Sequence, residues 1–318
     1  MSEHDQHPDD DQGRREHYGA FYGLHEMPSS DRPLVVVLGN CQAEALRIAL
    51  SSTASEQLVD SVRVPPVHEL SAADVPHLQR LLSRVDVLVA QPVREDYHEL
   101  PVGTAQLAAR LRPDARLVRF PVIFYAGLYP YQVLARSDGV GDPPVAPYHD
   151  LRTLALVGGC SGGPDSLTPQ QRHEAYRQIA SDSVQELADR EVRDDTLPIS
   201  DLLTPAGAGA MWTINHPGNE MLLPLAGRVR DHLGLAGEQT DPGRVLLSSV
   251  LTPLLPEVIE ALELGAATPR EDWVLGGQPT AQSTVQEVQQ QWYAEHPQVV
   301  EAGLERHRDR LALLGWSG

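Results

Sequence analysis

The stretch "LVVVLGNCQAEALRIAL", residues 34–50, decides how this chain folds. Five apolar residues end at Gly39, and a pattern typical of a helix begins straight after Asn40. A continuous apolar run predicts a strand buried on both faces, and the immediate helix predicts the first strand–turn–helix unit of a parallel sheet. Cys41, one of only two cysteines in the chain, stands where the strand ends and the helix begins.

The same alternation of apolar runs and helical patterns continues along the chain. Further buried strands are predicted within residues 86–93 and 115–123, and helical patterns dominate the second half. We therefore predict an α/β fold with an open, mostly parallel sheet flanked by helices, a core like that of SGNH or Rossmann folds, and a largely helical C-terminal half. The predicted segments are a disordered acidic tail over 1–32, an α/β domain over 33–265 and a C-terminal helical extension over 266–318.

The charge of the chain argues against polyanionic partners. The net charge is −19, and eight acidic residues against three arginines make the tail over 1–32 especially acidic. Such a surface repels phosphate backbones and anionic lipid, so we expect neither nucleic-acid binding nor membrane insertion. The N-terminus is polar and no apolar run is long enough to span a bilayer, which predicts a cytoplasmic protein. Whether the chain forms a homo-oligomer is left open.

All 25 basic residues are arginine, since the sequence contains no lysine. This excludes a P-loop lysine, a protein-kinase strand lysine and a Schiff base to pyridoxal phosphate. Cys41 and Cys160 lie far apart, which does not suit a disulfide framework or a zinc finger. The histidines of the tail fit no zinc spacing, so no metal is expected.

The turn Gly39–Gln42 is the first candidate site. Ligands of open α/β sheets gather at the carboxyl ends of the strands, and a helix N-terminus favours the thiolate of a cysteine placed there. Cys41 is therefore a candidate nucleophile, with Asn40 and Gln42 as candidate donors to an anionic oxygen and Gly39 allowing the sharp turn. The alternative is that Cys41 is simply a small buried apolar residue.

Two later segments supply candidate partners. Gln91 directly follows the next buried strand, so it is expected near Cys41 and needs a hydrogen-bond partner. In "WTINHPGNE", residues 212–220, Pro217 keeps the backbone of His216 extended, and Asn215 is placed to orient the imidazole. Histidine commonly activates a cysteine or a hydroxyl. The alternatives are an ordinary strand end at Gln91 and a capped turn with a surface histidine at His216.

The segment over residues 119–132 combines an arginine with aromatic rings. Arg119 would suit a phosphate, and Phe124 and Tyr125 would suit the base of a nucleotide; the alternative is a loop that packs on the core. The glycine-rich "VGGCSGGPDS", residues 157–166, lacks the lysine of a phosphate-binding loop and is interpreted as a flexible connector. The region before it, "LRTLALV", is interpreted as a strand or a variable insertion. No role is assigned to residues 136–167.

Taken in order, these motifs resemble one family. Gly39-Asn40-Cys41-Gln42 after a buried strand, Gln91-Pro92, Phe120-Pro121 and Asn215-His216-Pro217 are similar to the motifs of the WcbI-type polysaccharide-biosynthesis acetyltransferases. The resemblance covers about residues 34 to 260. The acidic tail and the stretch "LVGGCSGGPDS" match none of the family's motifs.

This resemblance implies binding of coenzyme A or acetyl-CoA as co-substrate and transfer of an acetyl group to a hydroxyl of a sugar, a glycan or a small molecule. It implies an active site with a cysteine and a histidine, carried onto Cys41 and His216. The domain over 33–265 would then be acyltransferase-like. Two alternatives stay open: an SGNH-like esterase or thioesterase with a cysteine nucleophile, and a non-catalytic module that binds coenzyme A or a nucleotide.

Overall fold

A computed structural model describes residues 8–51, 58–135, 137, 139–238 and 240–317. These residues form two compact units. The first comprises the described residues up to Val122, with Arg190–Ile199 and Leu222–Leu246. The second comprises Ile123–Asp189, Ser200–Met221 and the described residues from Leu247 onwards.

The first unit is built on a four-stranded parallel sheet, which confirms the predicted fold class. The strand order is β2-β1-β3-β4, and each neighbouring pair runs parallel. The elements of this unit are, in chain order, α1 Pro8–His17, α2 Gly19–Tyr22, β1 Leu34–Leu38, α3 Cys41–Ser51, β2 Asp60–Val62, α4 Val75–Leu82, β3 Val87–Ala90, α5 Thr104–Ala108 and β4 Arg116–Arg119.

The two central strands explain why the apolar runs are continuous. Every residue of β1 and β3 is buried, because helices cover both faces of a doubly wound sheet. Helix α3 turns Ala43, Leu46 and Leu50 into the core. Each fully buried large aliphatic side chain stabilises the fold by about 1.5–3 kcal/mol, so this layer fixes the register of the strands.

The strand order also determines where a ligand would bind. The chain passes from β1 outward to β2 and then returns to place β3 on the other side of β1. The boundary between β1 and β3 is therefore the topological switch point, where open α/β sheets form a crevice at their carboxyl ends. Gly39 follows β1 and Gln91 follows β3 at this edge.

The N-terminal segment is not the disordered tail that its composition predicts. Phe21, at the end of the helical pair α1 and α2, is fully buried in the core of the first unit. The carboxylate of Asp74 forms an ion pair with Arg14 at 3.2 Å and accepts a hydrogen bond from Tyr22 Oη at 2.7 Å. The prediction failed because a few apolar contacts and one partly buried ion pair anchor a segment whose average composition is acidic. Residues 1–7 lie outside the described part of the chain.

The second unit contains helices, as predicted for the second half of the chain, together with short two- and three-stranded pairings. The last residues of α7 and most of α8 belong to the first unit. The elements, in chain order, are β5 Gln132–Val133, β6 His149–Asp150, α6 Leu151–Val157, β7 Ser161–Gly162, α7 Pro169–Asp194, β8 Met211–Thr213, β9 His216–Pro217, α8 Asn219–Leu233, β10 Val250–Leu251, α9 Pro256–Ala261, β11 Trp273–Leu275, β12 Gln278–Thr280, α10 Gln282–Glu295, α11 Pro297–Arg306, α12 Arg308–Leu313 and β13 Trp316–Ser317.

Two interpretations of the region before α7 differ from the structure. Residues Leu151–Val157, interpreted as a strand or an insertion, form a helix whose N-cap is Asp150, since its carboxylate accepts a hydrogen bond from the backbone N–H of Arg152 at 2.8 Å. The glycine-rich stretch after it is not a free connector, because β7 pairs with β13 near the C-terminus. A strand of two small residues leaves no apolar pattern in the sequence, so this pairing could not be predicted.

The predicted boundary at residue 265 stays a prediction; residues 266–317 fall within the second unit. Across the described ranges, the structure contains no helix long and apolar enough to cross a membrane.

Candidate functional site

The turn after β1 is held by the side chain of Gln91. Gln91 Oε1 accepts a hydrogen bond from the backbone N–H of Asn40 at 2.8 Å. Its amide nitrogen donates to Gln42 Oε1 at 3.1 Å and to the carbonyl of Pro121 at 3.4 Å. The sequence prediction that Gln91 lies beside the turn and has a polar partner is therefore confirmed.

The Gln91 side chain lies so close to the backbone of the turn that only glycine fits at position 39. A Cβ atom at position 39 would lie 2.3 Å from Gln91 Oε1 and 2.7 Å from its amide carbon. The carbonyl of Gly39 accepts a hydrogen bond from the backbone N–H of Val67 at 2.8 Å, which ties the turn to the segment after β2. In this structure the missing side chain of Gly39 leaves the space that Gln91 occupies, and its predicted contact with a cofactor stays a prediction.

The residues predicted to donate to an oxyanion, Asn40, Gln42 and Gln91, differ in how many hydrogen bonds they already form within the protein. Gln42 and Gln91 are each only 1% exposed, and the backbone N–H of Gln42 donates to Asn40 Oδ1 at 2.9 Å. These two glutamines hold the turn in place. Among the described residues no acceptor oxygen pairs with the side-chain amide nitrogen of Asn40, and the backbone N–H of Cys41 acts on its own thiol. These are the two donors of the turn that a ligand oxygen could take.

Cys41 is the first residue of α3 and is partly buried. Burial raises the pKa of its thiol, and the nearby carboxylate of Glu69 raises it further. The backbone N–H groups of Cys41 and Gln42 lower it, but burial has the larger effect. The expected lowering by the helix N-terminus is therefore outweighed, because the thiolate loses more hydration than two amide dipoles restore.

The second candidate segment is a β-hairpin. Strands β8 and β9 pair antiparallel, with Thr213 opposite His216, so His216 has the extended backbone that Pro217 predicts. Thr213 Oγ1 accepts hydrogen bonds from the backbone N–H groups of His216 at 3.1 Å and of Asn215 at 3.4 Å. This tight turn presents the Asn215 and His216 side chains together.

Tyr148 joins these two side chains. Its hydroxyl donates to Asn215 Oδ1 at 2.8 Å and lies 3.5 Å from His216 Nε2. The other imidazole nitrogen, Nδ1, is buried and has no hydrogen-bond partner within the described part of the chain. Burial lowers the pKa of His216 to about 4, so the ring is neutral at pH 7 and able to accept a proton.

The residues predicted to bind a cofactor are differently placed. Arg119, the last residue of β4, forms an ion pair at 3.2 Å with the exposed Asp195. Exposed pairs of this kind contribute about 0–1 kcal/mol, so the guanidinium can exchange this carboxylate for another anion. Phe124 is partly buried, whereas Tyr125 is only 4% exposed and its hydroxyl packs over Gly127. The Tyr125 ring is therefore part of the core of the second unit.

The structure thus brings Gly39, Asn40, Cys41, Gln42 and Gln91 together in the first unit, and Asn215 with His216 in the second. Sequence reasoning missed Tyr148 and Thr213. The sequence signal for Tyr148 was weak: it lies two residues before the helix-capping Asp150, in a region to which the sequence assigned no role. Where the structure describes the chain, no three His, Cys, Asp or Glu side chains cluster in a way that would hold a metal ion.

Comparisons with known proteins agree on one family. The model of a family described as "Polysaccharide biosynthesis enzyme WcbI" matches residues 34–238. A solved structure of WcbI, described as a novel polysaccharide biosynthesis enzyme, superposes with a TM-score of 0.75 at 18% identity, covering 89% of this chain and 99% of that one. It is described as the native protein without a disulfide bond between coenzyme A and one of its cysteines. No curated protein matches the chain.

Proposed function

Because this chain belongs to the WcbI family of polysaccharide biosynthesis enzymes, we propose that it transfers an acetyl or other short acyl group from coenzyme A to a hydroxyl of a sugar, glycan or small-molecule acceptor. The observation that carries the proposal is His216, a buried neutral imidazole whose Nδ1 has no partner among the described residues. The low pKa keeps this ring unprotonated at pH 7, so that its nitrogen has a lone pair that can accept a proton from a hydroxyl.

Coenzyme A as the acyl donor is supported by the related WcbI structure, whose description names coenzyme A together with one cysteine of that protein. Cys41 is the cysteine of this chain at the switch point of the sheet, and Cys160 lies in the glycine-rich stretch of the second unit. We place the thioester beside Cys41.

The direct route needs no covalent enzyme intermediate. The acceptor oxygen attacks the thioester carbonyl carbon while its proton passes to His216 Nδ1. The tetrahedral intermediate then collapses, the carbon–sulfur bond breaks, and the proton returns to the coenzyme A sulfur. The products are the acyl ester and free coenzyme A.

The developing oxyanion needs hydrogen-bond donors. The candidates are the side-chain amide of Asn40 and the backbone N–H of Cys41, which would turn from its own thiol to the oxyanion. One preorganised donor of this kind is typically worth about 3–4 kcal/mol of transition-state stabilisation. Gln42 and Gln91 contribute by holding these donors in position.

The alternative route passes through an acyl-cysteine on Cys41. The raised pKa of this thiol favours the direct route, because the thiol rather than the thiolate predominates at pH 7. In the direct route Cys41→Ala keeps most of the transfer rate and Cys160→Ala serves as the matched control. An acyl group found on Cys41 by mass spectrometry of the quenched reaction would establish the covalent route instead.

The transfer reaction is tested with acetyl-CoA and a glycan fraction from the source organism. Free coenzyme A is followed with a thiol reagent and the acetyl ester is detected by mass spectrometry. We expect coenzyme A release that depends on the acceptor and falls about 100-fold or more in His216→Gln. The exposed His232→Gln is the control and should retain full activity. Release of acetate at the same rate without any acceptor would identify a hydrolase and overturn the proposal.

A further inference from the structure

The hydroxyl of Tyr148 stands between Asn215 and His216, and its proton can point in only one direction at a time. Asn215 Oδ1 is a pure acceptor 2.8 Å away, whereas His216 Nε2 is 3.5 Å away. The shorter contact to an oxygen that cannot donate takes the Tyr148 proton. The Tyr148 oxygen then has a lone pair that faces Nε2.

Thr213 reinforces this arrangement. Its oxygen already accepts two backbone N–H groups, so its own proton is left to donate. The possible acceptors are Asn215 Oδ1 at 3.0 Å and the Tyr148 oxygen at 3.0 Å. In both cases Asn215 Oδ1 accepts the Tyr148 proton, and neither hydroxyl is required to donate to the imidazole.

The imidazole has two neutral forms, and the surroundings distinguish them. With the proton on Nδ1, a buried N–H would have no acceptor among the described residues. With the proton on Nε2, the N–H faces the Tyr148 oxygen and only a lone pair at Nδ1 is left unused. Buried donors without an acceptor are rarer and more costly than under-used acceptors, so the second form is favoured.

We infer that Tyr148 is a positioning residue that holds His216 in the Nε2–H form, which makes Nδ1 the nitrogen that receives the acceptor's proton. The kinetic part of this inference rests on the proposed acyl transfer, whereas the protonation site of the ring does not. Serine proteases show how large such an effect can be. There, replacing the residue that fixes the tautomer of the catalytic histidine lowers kcat by about 10⁴.

The protonation site is read directly by long-range ¹H–¹⁵N correlation spectra of the full chain labelled with ¹⁵N-histidine. The signals of His216 are identified by their loss in His216→Gln. At pH 7 we expect the Nδ1 shift of an unprotonated ring nitrogen and the Nε2 shift of a protonated one. The reverse pattern in the wild-type protein would overturn the inference without any variant or substrate.

Two substitutions test the role of Tyr148 itself. Tyr148→Phe removes the acceptor for Nε2–H, and Asn215→Leu frees the Tyr148 proton to turn towards Nε2. Both should give a mixture of the two tautomers and lower kcat by roughly 10- to 100-fold, with the KM for acetyl-CoA nearly unchanged. Because Asn215 is only partly buried, its variant keeps the test available if Tyr148→Phe does not fold.

Tyr293→Phe is the matched control, since it removes a buried tyrosine hydroxyl 2.7 Å from another histidine, His149. It should leave the His216 signals and kcat as they are. Unchanged His216 signals in both Tyr148→Phe and Asn215→Leu would contradict the inference. If the expected spectra appear but no acyl transfer is found, the proposed function fails and the positioning role of Tyr148 stands.

Discussion

Gly39 is the residue at which the turn after β1 tolerates the least change. A methyl group there would meet three atoms of the Gln91 side chain within 3 Å, and that side chain is held by hydrogen bonds to Asn40, Gln42 and Pro121. The sequence predicted a glycine for a sharp turn. It could not show that the space is needed for a glutamine 52 positions later.

Gly39→Ala should therefore lower the free energy of unfolding by about 1–3 kcal/mol, the usual cost of overpacking a close contact. Urea denaturation at pH 7.5 measures the difference. Gly141→Ala is the control, because Gly141 is exposed and a Cβ there meets nothing within 4 Å. Equal stability of the two variants would show that the turn is not packed as described.

The lowered pKa of His216 predicts how the free energy of unfolding depends on pH. Its pKa is lowered to about 4 in the folded chain, whereas an unfolded histidine titrates near 6.5. Between these values the unfolded state binds a proton that the folded state does not, so stability falls as the pH drops from about 6.5 to about 4.

The size of this loss is at most about 3.4 kcal/mol, since the two pKa values differ by about 2.5 and each pKa unit corresponds to about 1.36 kcal/mol. Urea denaturation of wild-type and His216→Gln chains at several pH values between 7 and 4 measures it. Other buried histidines, such as His149 and His307, titrate in both chains, so the difference between the two curves isolates His216. Parallel curves would contradict the lowered pKa.

At the scale of elements, helix α7 begins with a capping signal that can be read in the sequence. Thr168 and Pro169 suit an N-cap and a first helical residue. In the structure Gln171 Oε1 accepts the backbone N–H of Thr168 at 2.9 Å, and Thr168 Oγ1 accepts that of Gln171 at 3.3 Å. The helix α6 was missed because its seven residues form too short a window for a helical period. The capping Asp150 was the signal that could have found it.

The capping box of α7 gives a prediction at this scale. Thr168→Ala should lower the free energy of unfolding by about 1 kcal/mol, because the backbone N–H of Gln171 loses its acceptor and the Thr168 hydroxyl no longer holds the Gln171 side chain. Ser181→Ala, an exposed position inside the same helix, is the control and should be neutral or slightly stabilising. A Thr168→Ala chain as stable as the wild type would rule out the capping box.

The N-terminal pair α1 and α2 gives the clearest contrast between sequence and structure. Phe21→Ala should cost about 3–5 kcal/mol of stability, because the ring is fully buried. Leu24→Ala, three residues later and 52% exposed, should change stability by less than about 0.5 kcal/mol. Thermal denaturation of both variants distinguishes a packed segment from the disordered tail that composition predicts, for which both changes would be neutral.

At the scale of the whole molecule, the sequence predicted the parallel sheet and its polar carboxyl edge because both depend on local patterns. Gln91 could be placed beside Cys41 because parallel strands end at a common edge. The division into two units could not be predicted, since each unit is assembled from segments far apart in the chain. Tyr148 was missed for the same reason: its contact with His216 spans 68 positions.

The central claim is that the turn Gly39–Gln42 receives the thioester of coenzyme A. A crystal structure of the full chain with coenzyme A tests this most directly, read for the position of the coenzyme A sulfur. We expect the sulfur beside the N-terminus of α3, in van der Waals contact with Cys41 Sγ, and equally so in the Cys160→Ala chain. Coenzyme A bound with its sulfur away from the carboxyl ends of β1 and β3 would contradict the account.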